Sequence, residues 1–115
     1  MSGSNILRGE VWLASLDPVR GREQAGTRPI VIVSDSKFNN CPAGLVIAIP
    51  LTTRNRGISS HIAVDARDAG LKHASFAMCE QTRSVSKKRL LKRLGKVASS
   101  TVGEIDHALR LLLGL

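Results

Sequence analysis

The sequence predicts a mainly β fold with helices: a small barrel of mostly antiparallel strands and one α-helix at the C-terminus. Three features of the chain predict it. Short β-branched apolar runs recur along the first 83 residues, turn residues punctuate them, and the last fifteen residues change to a helical apolar period. At 115 residues the chain is expected to form one domain, 1–115, with a modest core.

The elements follow from local chemistry. Residues 9–16, Gly-Glu-Val-Trp-Leu-Ala-Ser-Leu, read as a strand whose Val11 and Leu13 point one way and whose Trp12, Ala14 and Leu16 point the other. Asp17-Pro18 ends it. A polar loop follows to Thr27, and Pro29 to Ser34 reads as a second, buried strand, with Pro29 as its first residue. Residues 35–43 carry turn formers and predict a loop with at most one helical turn. Gly44 to Leu51 is apolar on both faces and predicts a central strand whose pairing stops at Pro50. Ser60 to Val64 and Ser75 to Arg83 are two further strands, separated by a connection over 65–72. Ser86 caps a short helix to Leu91, and Leu94 to Ala98 forms a last short strand. Thr101-Val-Gly-Glu104 matches a capping box, behind which Val102, Ile105, Leu109, Leu112 and Leu113 fall on one face.

Composition narrows the function classes. No apolar run approaches the roughly 18–20 residues of a membrane span, and the N-terminus has no apolar signal-peptide core, so a cytoplasmic chain is expected. Cys41 and Cys79 form no Cys-x-x-Cys pair and read as reduced thiols. His61, His73 and His107 show no zinc-ligand spacing, so neither metal nor cofactor is expected, and none of the histidines is assigned catalysis. A net charge of +8, from 17 Lys+Arg against 9 Asp+Glu, favours a polyanionic partner. With one Trp, two Phe and no Tyr, a nucleic-acid binder built on several stacked aromatics is excluded.

Three polar clusters stand at strand ends: Glu23/Gln24/Arg28, Thr52/Thr53/Arg54 and Glu80/Gln81/Arg83. If they meet at one rim, they make a cleft able to act on a phosphodiester without a metal. Arginine binds the non-bridging oxygens and offsets growing charge, a carboxylate takes the proton of an attacking 2′-hydroxyl, and a threonine hydroxyl holds the phosphate. Each residue also has a structural alternative: Glu23 as a surface ion-pair partner, Thr52 as a turn residue, and Arg83 as part of a solvated basic face running to Lys96.

The motifs Gly9-Glu-Val-Trp, Glu23-Gln-Ala-Gly-Thr-Arg-Pro29, Ile-Pro-Leu-Thr52 and Glu80-Gln81-x-Arg83 together resemble the MazF/PemK family of toxin ribonucleases. The likeness runs in order from about residue 8 to the terminal helix, and the Glu-Gln-x-Gly-x-Arg-Pro block is its most specific part. The resemblance implies an SH3-like barrel, a homodimer, and metal-independent cleavage of single-stranded RNA to 2′,3′-cyclic phosphate and 5′-hydroxyl ends. It also implies a cognate MazE-like antitoxin with an acidic flexible tail. By motif position, Arg28 matches the arginine that stabilises and can protonate at the scissile phosphate, Thr52 its partner, and Glu23 a candidate general base. Gln81 and Arg83 match positions near the RNA groove. Arg20, Arg22, Gln24, Thr53, Arg54 and Arg56, from the two loops where members differ most, complete the expected RNA-binding set. Thr53-Arg54 departs from the small or uncharged residues many relatives have there. The alternative is a non-enzymatic CcdB-like toxin, which shares the fold family but inhibits DNA gyrase by binding it.

Overall fold

The computed structural model describes residues 5–16 and 26–115. Seven strands form one antiparallel sheet: β1 (Glu10–Ser15), β2 (Thr27–Ile32), β3 (Leu45–Thr52), β4 (His61–Val64), β5 (Ser75–Met78), β6 (Arg83–Ser86) and β7 (Leu90–Lys96). They lie in the order β4-β5-β3-β2-β1-β7, with β6 also on β3. Two one-turn helices, α1 (Ser36–Asn39) and α2 (Ala66–Ala69), punctuate the strands, and α3 (Ser99–Leu113) closes the chain. The mainly β, antiparallel class and the terminal helix are as expected. The sheet, however, stays open: β4 and β7 stand at opposite ends of its order. Helices cover those ends instead, α3 against β4 and α2 against β7. The second contact is very close. A Cβ on Gly95 would sit 2.6 Å from the Asp68 carbonyl oxygen, and Gly70 takes φ +70° beneath the Leu94 carbonyl.

The strands β2 and β3 are apolar on both faces because each face has its own core. Val31, Ile49 and Leu51 pack with Val11, Val64, Ala77 and Ile105 under α3. Ile30, Ile32, Val46 and Ala48 pack with Ala14, Leu16 and Val85 on the other side, with Trp12 at the margin. A strand buried on both faces reads as a continuous apolar run.

Several boundaries differ from expectation. Pro29 is the third residue of β2, opposite Leu13, not its first. Pairing does not stop at Pro50, which lies opposite Ile30; β3 continues to Thr52. Across its other edge β3 pairs β6 through Leu45–Ala48 and β5 through Leu51–Thr52, so the residue lacking an N–H falls where the partner changes. The expected strand 75–83 is broken by a 3₁₀ turn, Cys79–Gln81, which Thr82 seals by donating both its N–H and its hydroxyl to the Cys79 carbonyl. Ser86 does cap a turn, accepting from the Lys88 N–H, but the turn is only Lys87–Arg89, and the last strand begins at Leu90 rather than Leu94. The capping box does not form. α3 starts at Ser99 behind Ala98, which puts Thr101 inside the helix. Of its expected apolar face Ile105 is buried, whereas Leu112 and Leu113 are exposed.

Candidate functional site

Antiparallel register builds the site. Ile30 faces Pro50 in the last pair of that register, and just beyond it Arg28, near the start of β2, and Thr52, at the end of β3, line one pocket. The loop after Thr52 is shaped by short-range polar bonds. The Thr52 Oγ1 accepts the Arg54 N–H at 3.2 Å, and the Asn55 Oδ1 accepts the Gly57 N–H at 3.1 Å. Oγ1 serves there as acceptor, so that bond does not use the Thr52 hydroxyl hydrogen.

These elements enclose a pocket of about 400 Å³ lined by Arg28, Thr52, Thr53, Arg54 and Arg56, with Pro29, Leu51 and Ser75 as its floor. Three guanidiniums and no carboxylate line it among the described residues. Arg28 of the first predicted cluster therefore meets the whole second cluster, with Thr53, Arg54 and Arg56 exposed around the mouth. Such a site suits a phosphate: charge-assisted donors converge on one volume, with a hydroxyl donor beside them. Glu23, Arg20, Arg22 and Gln24 lie outside the described residues.

The third cluster does not line this pocket. Arg83 sits in β6 opposite Ala48, on the β3 face that Thr52 shares four residues further on, roughly 13 Å along the strand. Its Nη1 is buried without a hydrogen-bond partner. The Gln81 amide donates to the Met78 Sδ at 3.6 Å. Glu80 turns elsewhere. Its Oε1 accepts the Ser60 hydroxyl at 2.7 Å, and its Oε2 lies 2.7 Å from the His61 Nε2. The His61 side chain is only 4% exposed. Burial pushes the Glu80 carboxyl upward, but the Ser60 and His61 hydrogen bonds outweigh it and hold the group below its ordinary value. Sequence reasoning set His61 aside; it lies on the strand face opposite Ile62 and Val64, and only its pairing with Met78 shows that it is covered.

Glu10, in the Gly-Glu-Val-Trp motif, is structural. It is buried and accepts from the Leu7 N–H at 3.0 Å, the Trp12 Nε1–H at 3.1 Å and the Arg93 Nε–H at 2.8 Å. Burial raises its carboxyl and those three bonds lower it, with a net downward shift. Cys79 is buried, and desolvation pushes its thiol up to about 11, so it is an inert core residue.

Nearly the whole chain is similar to known proteins. Residues 7–113 match the family model described as the PemK-like, MazF-like toxin of type II toxin–antitoxin systems. The endoribonuclease MazF of Staphylococcus epidermidis is 38% identical over 111 residues, covering 96% of this chain and 92% of that protein. Among solved structures, MazF from Deinococcus radiodurans superposes with a TM-score of 0.86 at 24% identity, over 97% of this chain and 99% of that one. A mycobacterial endoribonuclease in complex with its cognate antitoxin superposes at 0.75 with 28% identity, over 96% and 95%.

Proposed function

This chain belongs to the PemK-like, MazF-like toxins of type II toxin–antitoxin systems, and from that premise we propose that it is a metal-independent endoribonuclease that cuts single-stranded RNA in the cytoplasm, its 115 residues acting as one toxin domain. The observation that carries the reading is the pocket that Arg28 and Thr52 line together with Arg54 and Arg56.

The chemistry follows from those groups. The 2′-hydroxyl beside the scissile bond loses its proton to a base, for which Glu23 is the candidate. The 2′-oxygen then attacks phosphorus. Arg28 donates to the non-bridging oxygens and strengthens its hold as negative charge grows on them. The Thr52 hydroxyl fixes the phosphate. The bond from phosphorus to the 5′-oxygen breaks, that oxygen takes a proton, and a 2′,3′-cyclic phosphate and a 5′-hydroxyl result. Arg54, Arg56 and the net charge of +8 gather the RNA by phosphate neutralisation.

Two partners complete the proposal. An acidic antitoxin segment fits the same cationic mouth as RNA and would exclude it, in line with the antitoxin complex of the mycobacterial relative. A second copy of the chain is supported by the apolar end of α3, where Leu111 is 71% and Leu115 is 86% exposed. Nothing at the pocket favours gyrase binding over RNA cleavage.

The deciding experiment incubates the purified protein with a long single-stranded RNA in EDTA and maps the fragment ends. Discrete cuts with 5′-hydroxyl ends are expected; intact RNA, or cleavage only with an added divalent ion, would overturn the proposal.

A further inference from the structure

The chain has three aromatic residues, and two are committed elsewhere. Trp12 donates its ring N–H to Glu10 at 3.1 Å and packs on the second core, and Phe38 belongs to α1, beside the opposite end of β3. Phe76 does not line the pocket itself but stands on the strand next to Thr52. In β5 it pairs directly with Thr52 on one side and with Ala63 of β4 on the other, so all three side chains share one sheet face. Both neighbours are small, Ala63 is exposed, and the ring is itself only half-buried. Its chain neighbour Ser75 lines the phosphate pocket.

The next cross-strand pair on the same face is buried. Met78 faces His61, both side chains are buried, and His61 is pinned by Glu80 at 2.7 Å. A partly exposed ring beside a buried, hydrogen-bonded pair, one strand from Thr52, is suited to stacking.

We infer that Phe76 stacks against the nucleobase next to the scissile phosphate, fixing where the strand is cut. The inference rests on the proposed RNA cleavage and adds a substrate-contacting residue to it. An unstacked base offers a π-face to an aromatic side chain whatever its identity, so Phe76 sets affinity and position while the loop side chains read base edges.

The test uses an oligonucleotide spanning a mapped cut and the variants Phe76→Leu and Phe76→Trp. Leucine keeps the apolar contact with the sheet and removes the flat ring. Leucine is expected to raise KM about tenfold with kcat and melting temperature unchanged, the loss of one stacked base, and tryptophan to restore KM. A second RNA, a long single strand 2′-O-methylated at every nucleotide, has no nucleophile and needs no mapped cut, so its binding is read by fluorescence anisotropy whether or not the protein cleaves. The Leu variant should bind it about tenfold more weakly. Equal affinity of wild type and Phe76→Leu for this RNA overturns the stacking role. Wild-type binding without any cleavage of the normal RNA overturns the proposed enzyme while leaving the contact standing.

Discussion

Arginines at two places in this fold do opposite work. Around Glu10, Arg93 closes a set of three donors on one buried carboxylate, and Arg8 pairs with Asp106 to tie the N-terminal segment to α3. Around Thr52, the exposed Arg54 and Arg56 border a pocket with no carboxylate among its described walls. An arginine whose charge is met inside the protein holds strands together. One left facing a cavity of its own sign keeps its attraction for an outside anion. The residue type is the same, and the presence of a nearby carboxylate decides between structure and recognition.

The largest expected effect separates the two regions directly. Arg28→Ala should lower kcat by about 10²–10³-fold, the loss of one transition-state donor, while changing stability by less than about 1 kcal/mol. Single-turnover cleavage and urea unfolding on the same preparation check both halves; an Arg28→Ala protein that cuts at the wild-type rate would remove Arg28 from the mechanism.

The mirror experiment is Glu10→Ala. Three part-buried donors lose their acceptor, so stability should fall by about 1–3 kcal/mol. Cleavage per folded molecule should be unchanged. The same carboxylate gives the comparison a pH signature. Glu10 and Glu80 are both held below their ordinary values when folded, so each binds protons more weakly in the native than in the unfolded chain. Their contribution is therefore complete above the unfolded value of about 4.3 and is lost as pH falls below it. Melting temperature should be flat through neutral pH and drop steeply on acidification below about pH 4.5. Glu10→Ala should flatten that drop, and an unchanged profile would show that Glu10 is not the group responsible.

The smallest effect sharpens the recognition side. Arg54→Gln and Arg56→Gln remove charge from exposed loop positions and should leave kcat near its wild-type value. Each should reduce the slope of log affinity against log salt by about 0.7, one phosphate contact on single-stranded RNA. A slope unchanged in the double variant would place the RNA backbone elsewhere.

Much of this organisation is legible in the chain alone. The alternation of Val11 against Trp12 and Ala14, the two-sided apolar run of β3 and the glycines and prolines between strands are local properties, and they specify mainly β structure and nearly every element. So does the polar character of the loop after Thr52, because turn chemistry acts over two or three residues. Boundaries were harder where two local preferences compete. Residues 75–83 have β character throughout, and only the Thr82 bonds to Cys79 show that the chain turns there. At the start of α3 the capping-box spacing of Thr101 and Glu104 was present, yet the helix begins at Ser99.

What tertiary structure alone decided is which distant polar residues meet. Arg28 and Thr52 are brought together by the β2–β3 register, a long-range choice set by two cores packing on opposite faces of those strands. The register between β4 and β5 likewise aligns His61 with Met78, and the turn after Met78 carries Glu80 to His61 and away from the phosphate pocket. It left the sheet open as well, because α2 and α3 cover the ends that closure would have paired. Strand character depends on neighbours in sequence; the site depends on neighbours in space, and only the packed sheet supplies those.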